Sequence, residues 1–281
     1  MKIMNSEWRG RVKHWVRTLK EDLYEPIGEF SWEVFHTMEH LSQQEALKQE
    51  FKPVQTGYTW GNTWEYGWFK SSITLPACAE GKRIVMNLKP GGESALFVNG
   101  QDFGTYRADW VSEAHHYYED NVLTRCAKAG ETFDVLMETY AGHYYPDAGG
   151  CATGPVLPGL YKDPLAEGAR RTLGKCTYGI WNEDAYQLYM DVMTLGLLLE
   201  TLDSCTLRAA KVAKALEKFT LIVDFEQPKE ERIKTYQAAR EAIRPAMEAK
   251  NGSTAPVFYA VGNAHIDLAW LWPMAETHRK T

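Results

Sequence analysis

Between residues 51 and 145 the apolar side chains come in short runs, 68–75, 83–88 and 95–98, broken by Pro76, Gly81, Pro90-Gly91-Gly92 and Asn99-Gly100. Runs of this length between turn residues fit strands and exclude long helices. Asn99-Gly100 is the strongest turn signal in the chain, because a type I′ hairpin needs positive φ at both central residues and these two tolerate it best. A further run, 132–140, alternates imperfectly after Ala129-Gly130-Glu131. Several antiparallel strands at this spacing predict a β-sandwich of the jelly-roll kind.

The flanking sequence has a different period. Trp8, Val12, Trp15, Val16 and Leu19 recur at three and four residues, which predicts an amphipathic helix over 6–23, ended by Pro26 and Gly28. Segments 31–38 and 42–48 read as further helical pieces, the second opened by Ser42 and Glu45 in a capping-box pattern. Residues 141–179 are rich in Gly and Pro and predict long loops with one or two strands. Three helices are expected at 183–202, 205–225 and 229–250, with Pro228 at the start of the last and Pro245 kinking or ending it. The charged face of that helix is expected to be solvated.

After Asn251-Gly252-Ser253-Thr254 comes a nearly continuous apolar run, 256–262, the pattern of a strand buried on both faces of a parallel sheet. The expected organisation is thus an α+β multidomain chain. It comprises a helical lead-in (1–50), an antiparallel β-sandwich (51–180), a helical region (181–254) and the start of an α/β domain (255–281).

Composition narrows the function. A formal charge of −6 with no local basic block argues against nucleic acid as a partner. No apolar run reaches the ~18 residues of a membrane span, and the first residues lack a secretory h-region, so a cytoplasmic protein without a membrane partner is expected. Five scattered cysteines with no CxxC pair predict reduced thiols rather than a disulfide framework.

The chemistry-bearing stretch follows the last apolar run: Gly262-Asn263-Ala264-His265-Ile266-Asp267-Leu268-Ala269-Trp270-Leu271-Trp272-Pro273, then Glu276, Arg279 and Lys280. In extended backbone, residues two apart share a side, so His265 and Asp267 can turn an imidazole and a carboxylate to one point. Nitrogen plus carboxylate oxygen suits zinc better than a hard-ion cage. His115-His116-Tyr117-Tyr118 and His143-Tyr144-Tyr145 are secondary candidates for a sugar-binding rim, with loop packing as the plainer reading.

Residues 262–280 resemble the segment that opens the catalytic domain of glycoside hydrolase family 38, the retaining class II α-mannosidases. The resemblance rests on the His-x-Asp-x-x-Trp spacing, the Trp-Pro pair and the Glu-Thr-x-Arg-Lys sequence. Less specifically, Trp60-Gly61, Gly67-Trp68-Phe69 and residues 92–100 resemble the N-terminal, galactose-binding-like jelly roll of cytosolic and bacterial members. The resemblance implies that 256–262 is the first strand of a seven-stranded, barrel-like catalytic domain. It also implies that His265 and Asp267 are two of four zinc ligands and that Trp270 is the platform under the cleaved mannose. The substrate implied is a mannose-containing oligosaccharide. Neither the nucleophile nor the acid/base, which retaining chemistry holds about 5 Å apart, is assignable within the 281 residues, so the chain alone is expected to be inactive. A non-catalytic carbohydrate-binding or oligomerisation module, with self-association left open, and another metal-dependent hydrolase are the alternative readings.

Overall fold

The alternating segment 132–140 becomes the strand on which a six-stranded antiparallel sheet is assembled. The computed structural model describes residues 3–62, 64–106, 121–142, 171–250, 257–262, 265–268, 274 and 277–278. In chain order the elements are α1 (Ser6–Glu21), β1 (Tyr24–Glu29), β2 (Trp32–Thr37), α2 (Gln43–Ala46), β3 (Lys52–Val54), β4 (Thr59–Trp60), β5 (Tyr66–Thr74), β6 (Ile84–Asn87), β7 (Glu93–Val98), β8 (Gln101–Tyr106), β9 (Val122–Thr124), β10 (Thr132–Tyr140), β11 (Arg171–Thr172), β12 (Thr177–Trp181), α3 (Glu183–Thr201), α4 (Leu207–Ile222) and α5 (Lys229–Met247). They divide into a helical unit, Met1–Glu25 with Trp181–Val261, and a β unit, Pro26–Ile180 with Gly262–Thr281.

In the β unit the six-stranded sheet has the order β3-β2-β5-β10-β7-β8, a four-stranded sheet the order β1-β12-β6-β9, and β11 pairs with β4. One core joins Trp32, Val34, Phe69 and Met137 of the larger sheet to Ile84, Met86 and Tyr178 of the smaller. This is the antiparallel sandwich expected from the turn spacing. The tip between β7 and β8 is Asn99-Gly100, with φ of 50° and 76°, the two positive values that a type I′ turn demands. The Asn99 side chain also accepts a hydrogen bond from the Asp134 amide at 2.8 Å, fastening the hairpin to β10. Gly92 is required by close approach: a Cβ there would lie 2.4 Å from the carbonyl oxygen of Tyr140.

Segment 31–38 corrects the expectation of a helix. It is β2, with Trp32 and Val34 buried in the core while the intervening Glu33 pairs across the opposite face with Lys70 at 3.0 Å. The residues from 32 to 37 alternate with period two, and sheet pairing with β3 and β5 decides the outcome over local helical preference. The capping box at Ser42 and Glu45 does form, opening the single turn α2. Ala46 of that turn packs with Trp68 and Leu136 on the outer face of the larger sheet. Two strands, β11 and β12, close the stretch read as loops.

The helical unit follows the sequence closely. Asn5, Asn182 and Thr206 each accept a backbone N–H from the first turn of α1, α3 and α4, as N-caps do. Helix α5 continues two residues beyond Pro245. Arg11 donates to the Thr220 carbonyl at 2.8 Å and Trp15 to that of Val223 at 3.1 Å, joining α1 to the end of α4. Tyr236 of α5 is fully buried and donates its hydroxyl to Asp22, the residue that caps α1, and Arg232 pairs with the same carboxylate at 3.1 Å. Burial and the Asp22 carboxylate together push the Tyr236 phenol well above its usual range. The charged face of α5 is therefore partly used inside the unit, through Arg232 and through Arg240, which meets Asp191 at 2.8 Å. Cys78, Cys126, Cys176 and Cys205 are free thiols, and no helix among the described residues is long and apolar enough to cross a membrane.

Asn99→Ala should lower the stability of the β unit by about 2 kcal/mol, from the left-handed backbone and the lost hydrogen bond together, and Asn99→Gly by less. Urea unfolding followed by tryptophan fluorescence checks the order.

Candidate functional site

Residues 265–268, the described part of the segment that carries the metal-type residues, have no regular secondary structure. Residues 257–262, expected as a buried strand, are extended to solvent: Val257, Phe258, Tyr259 and Val261 are 74%, 88%, 90% and 85% exposed. The expectation of a buried strand is thus not met in this chain. A strand of that composition takes its hydrogen bonds and burial from neighbours on both sides, and none of the described residues pairs with it.

Beyond it, His265 and Asp267 do meet. The imidazole Nε2 lies 3.1 Å from the carboxylate Oδ1, and both side chains are open to water at 77% and 46% exposure. That separation suits a single hydrogen bond, and it also suits two donors about 2 Å from one small divalent ion. The donor pair fits half of a zinc site. Among the described residues no third His, Cys, Asp or Glu gathers with them. Thr277, 7% exposed, donates its hydroxyl to the carbonyls of Leu268 and Asp267, so the backbone after the pair is tied to the residues that follow. Trp270, Trp272, Glu276, Arg279 and Lys280 lie outside the described residues, as do the histidine and tyrosine candidates at 115–118 and 143–145.

A second polar cluster was not visible in the sequence. His36 of β2 contacts the Tyr58 hydroxyl through Nε2 at 3.0 Å and stacks on Trp60 at 6.0 Å between centroids. Trp60 is 2% exposed and donates its indole N–H to the Pro90 carbonyl at 2.9 Å. Burial pushes the His36 imidazole below its ordinary pKa, and the Glu65 carboxylate opposes that shift. The signal that could have found it is the alternation of β2, which puts His36 on the side of the strand opposite Phe35. The arrangement holds a neutral imidazole in the sandwich and cements β2 to the loop before β5.

Comparison with known proteins bears on the whole of this. The family described as the jelly roll domain of α-mannosidase matches residues 29–155. Alpha-mannosidase 2C1 of Homo sapiens is 24% identical over 246 residues, covering 88% of this chain and 22% of that protein. Alpha-mannosidase G of Dictyostelium discoideum is 24% identical over 245 residues, covering 86% and 21%. The chain therefore spans about a fifth of the length of the curated relatives it matches. Among solved structures, a β-glucuronidase from Ruminococcus gnavus overlaps 57% of this chain and 29% of its own at 13% identity, with a TM-score of 0.38, too low a likeness to assign the fold.

Because His36 is neutral in the folded protein with a depressed pKa, its contribution to stability is present above about pH 6.5 and is lost as pH falls through the lower folded value. The stability difference between the native chain and His36→Gln should shrink between about pH 7.5 and about pH 5, as read from urea midpoints at each pH.

Proposed function

We propose, for a chain that carries the jelly roll domain of the family 38 α-mannosidases, that it serves retaining, zinc-dependent hydrolysis of terminal α-mannosidic linkages in oligosaccharides. The observation that carries the proposal is the family match across residues 29–155. The convergence of His265 and Asp267 supports it from the other end of the chain.

In this reading His265 and Asp267 supply nitrogen and carboxylate oxygen to zinc, and the aromatic face of Trp270 lies under the C–H-rich face of the mannose ring. Zinc, when bound, supplies an electropositive centre for vicinal sugar hydroxyls. The two atoms that face each other, His265 Nε2 and Asp267 Oδ1, would hydrogen-bond without the ion and would both turn lone pairs to it when zinc is bound. Thr277 restrains the backbone that presents the pair. The jelly roll is the rigid body of the β unit, and its sandwich core keeps that body fixed. The catalytic carboxylates and the remaining zinc ligands are not assigned among the 281 residues. Turnover is therefore proposed to need polypeptide beyond these residues, in keeping with relatives about four times as long. A cytoplasmic location belongs to the same proposal.

Two measurements test it. The 281-residue chain, given an aryl α-mannoside and zinc, should show no turnover above the uncatalysed rate; turnover at the level of a complete family member would mean that the catalytic carboxylates lie within it. In a longer polypeptide carrying a complete catalytic domain, His265→Ala and Asp267→Ala should each lose zinc and most activity. Trp270→Ala should keep zinc and bind mannose more weakly by about 1–3 kcal/mol. Metal content measured beside kinetics separates these outcomes, and stoichiometric zinc with normal turnover in both ligand variants would sink the assignment.

A further inference from the structure

The helical unit presents a groove of about 630 Å³ between α1 and α3 that its own packing leaves open. Its apolar surface comes from Val12 and Val16 of α1 and from Met193 and Leu197 of α3, and Leu197 is 60% exposed. Along one side runs a stripe of cations from a single helix: Arg9, Lys13, Arg17 and Lys20, at positions i, i+4, i+8 and i+11. The stripe is about 16 Å long. Arg17 contacts the neighbouring His14 at 3.0 Å; Arg9, Lys13 and Lys20 have no ion pair among the described residues. One acid, Glu200, borders the groove.

Gly196 is the second, independent observation. It lies inside α3 and faces this groove, and a Cβ built on it would meet nothing within 4 Å. An interior helical glycine is less stable than alanine, and no packing among the described residues requires this one. What the missing side chain does provide is room for another backbone to come close to α3.

We propose that this groove is a docking site for an acidic amphipathic helix of a separate protein. Such a helix would lay apolar side chains at i, i+3 or i+4, and i+7 between α1 and α3, and would turn its carboxylates to the stripe on α1. The four-residue spacing of Arg9, Lys13 and Arg17 matches the spacing of carboxylates along one flank of a helix. A membrane surface fits less well, because the floor is recessed: Val192 and Leu216 line the groove at 1% and 2% exposure, out of reach of a flat bilayer. The proposal is independent of the mannosidase reading, since it uses none of the residues assigned to sugar or metal.

The probe is a fluorescently labelled, N-acetylated 18-residue peptide with leucine at helical spacing and glutamate along one flank, titrated with the 281-residue chain and read by anisotropy. Saturable binding is expected. It should weaken by about tenfold in Lys13→Glu/Arg17→Glu, since two exposed charge pairs become repulsive, and should also weaken on raising salt. Gly196→Leu should remove binding while leaving circular dichroism and the melting temperature at or above the native values, so that loss of docking is told apart from loss of fold. The same peptide with lysine for glutamate should not bind. The proposal is overturned if the acidic peptide fails to bind, or if binding is indifferent to Gly196→Leu and to the charge reversal. It is equally overturned if phosphatidylserine vesicles bind through these residues while the peptide does not, or if the groove is found closed by self-association that Gly196→Leu abolishes.

Discussion

The β unit depends on the pairing of β10. That strand is hydrogen-bonded to β5 over all nine of its residues, from Thr132 opposite Thr74 to Tyr140 opposite Tyr66, and to β7 from Val135 to Tyr140. A one-residue slip would turn Phe133, Val135 and Met137 out of the core and put Asp134, Leu136 and Glu138 in their place. Two local devices hold the register at opposite ends. The Asn99 side chain fixes the start of β10 to the β7–β8 turn, and the close approach of Gly92 to the Tyr140 carbonyl admits β7 at the other end. Trp60, His36 and Phe69 then pack at the side of this frame, so the polar cluster of the sandwich is a consequence of the sheet order rather than an addition to it.

Much of this was legible in the sequence because local and tertiary preferences agree. Asn99-Gly100 and the box at Ser42 and Glu45 each carry their own geometry, and each forms where the residues predict. The three long helices were visible from stripes of apolar residues, with ends within a few residues of those observed. Segment 32–37 was misread because a strand of six residues contains too few periods to distinguish alternation from a helical stripe, and the deciding partners, β3 and β5, lie 15 or more residues downstream. The imperfect alternation of β10 has a similar cause. Its outer face is not left to water: Leu136 lies under Ala46 and beside Trp68, so apolar residues occur on both sides of the strand.

For the candidate site, what could be read was the part set by local geometry. Two side chains at i and i+2 can converge whatever surrounds them, and His265 and Asp267 do. What could not be read was burial. The run 256–262 has the composition of a strand enclosed on both faces, yet Phe258 and Tyr259 stand almost wholly in water, because composition states what a segment can tolerate and only neighbours enclose it. The donor pair is correspondingly exposed, and its exposure, rather than its residue types, distinguishes a pair of side chains from a formed metal centre. His36 illustrates the opposite case, a polar residue drawn into a buried setting, with Tyr58 on one ring nitrogen and Trp60 on its face, by strand pairing that lies far off in the sequence.

The helical unit is discontinuous in the chain, its first 25 residues separated from the rest by Pro26–Ile180 of the β unit. Helix α1 therefore cannot meet Thr220, Val223 or Tyr236 until some two hundred further residues have been synthesised, roughly 10–40 s at ordinary ribosomal rates. During that interval a helix with apolar and cationic stripes stands without the partners that later cover it. An order of assembly follows from topology: the β-sandwich can close on its own as it emerges, while the helical unit must wait and is completed from its two ends. Early termination between β12 and α5 would then leave a folded sandwich with α1 unsheltered, a species prone to associate through the side that α4 and α5 cover in the folded helical unit.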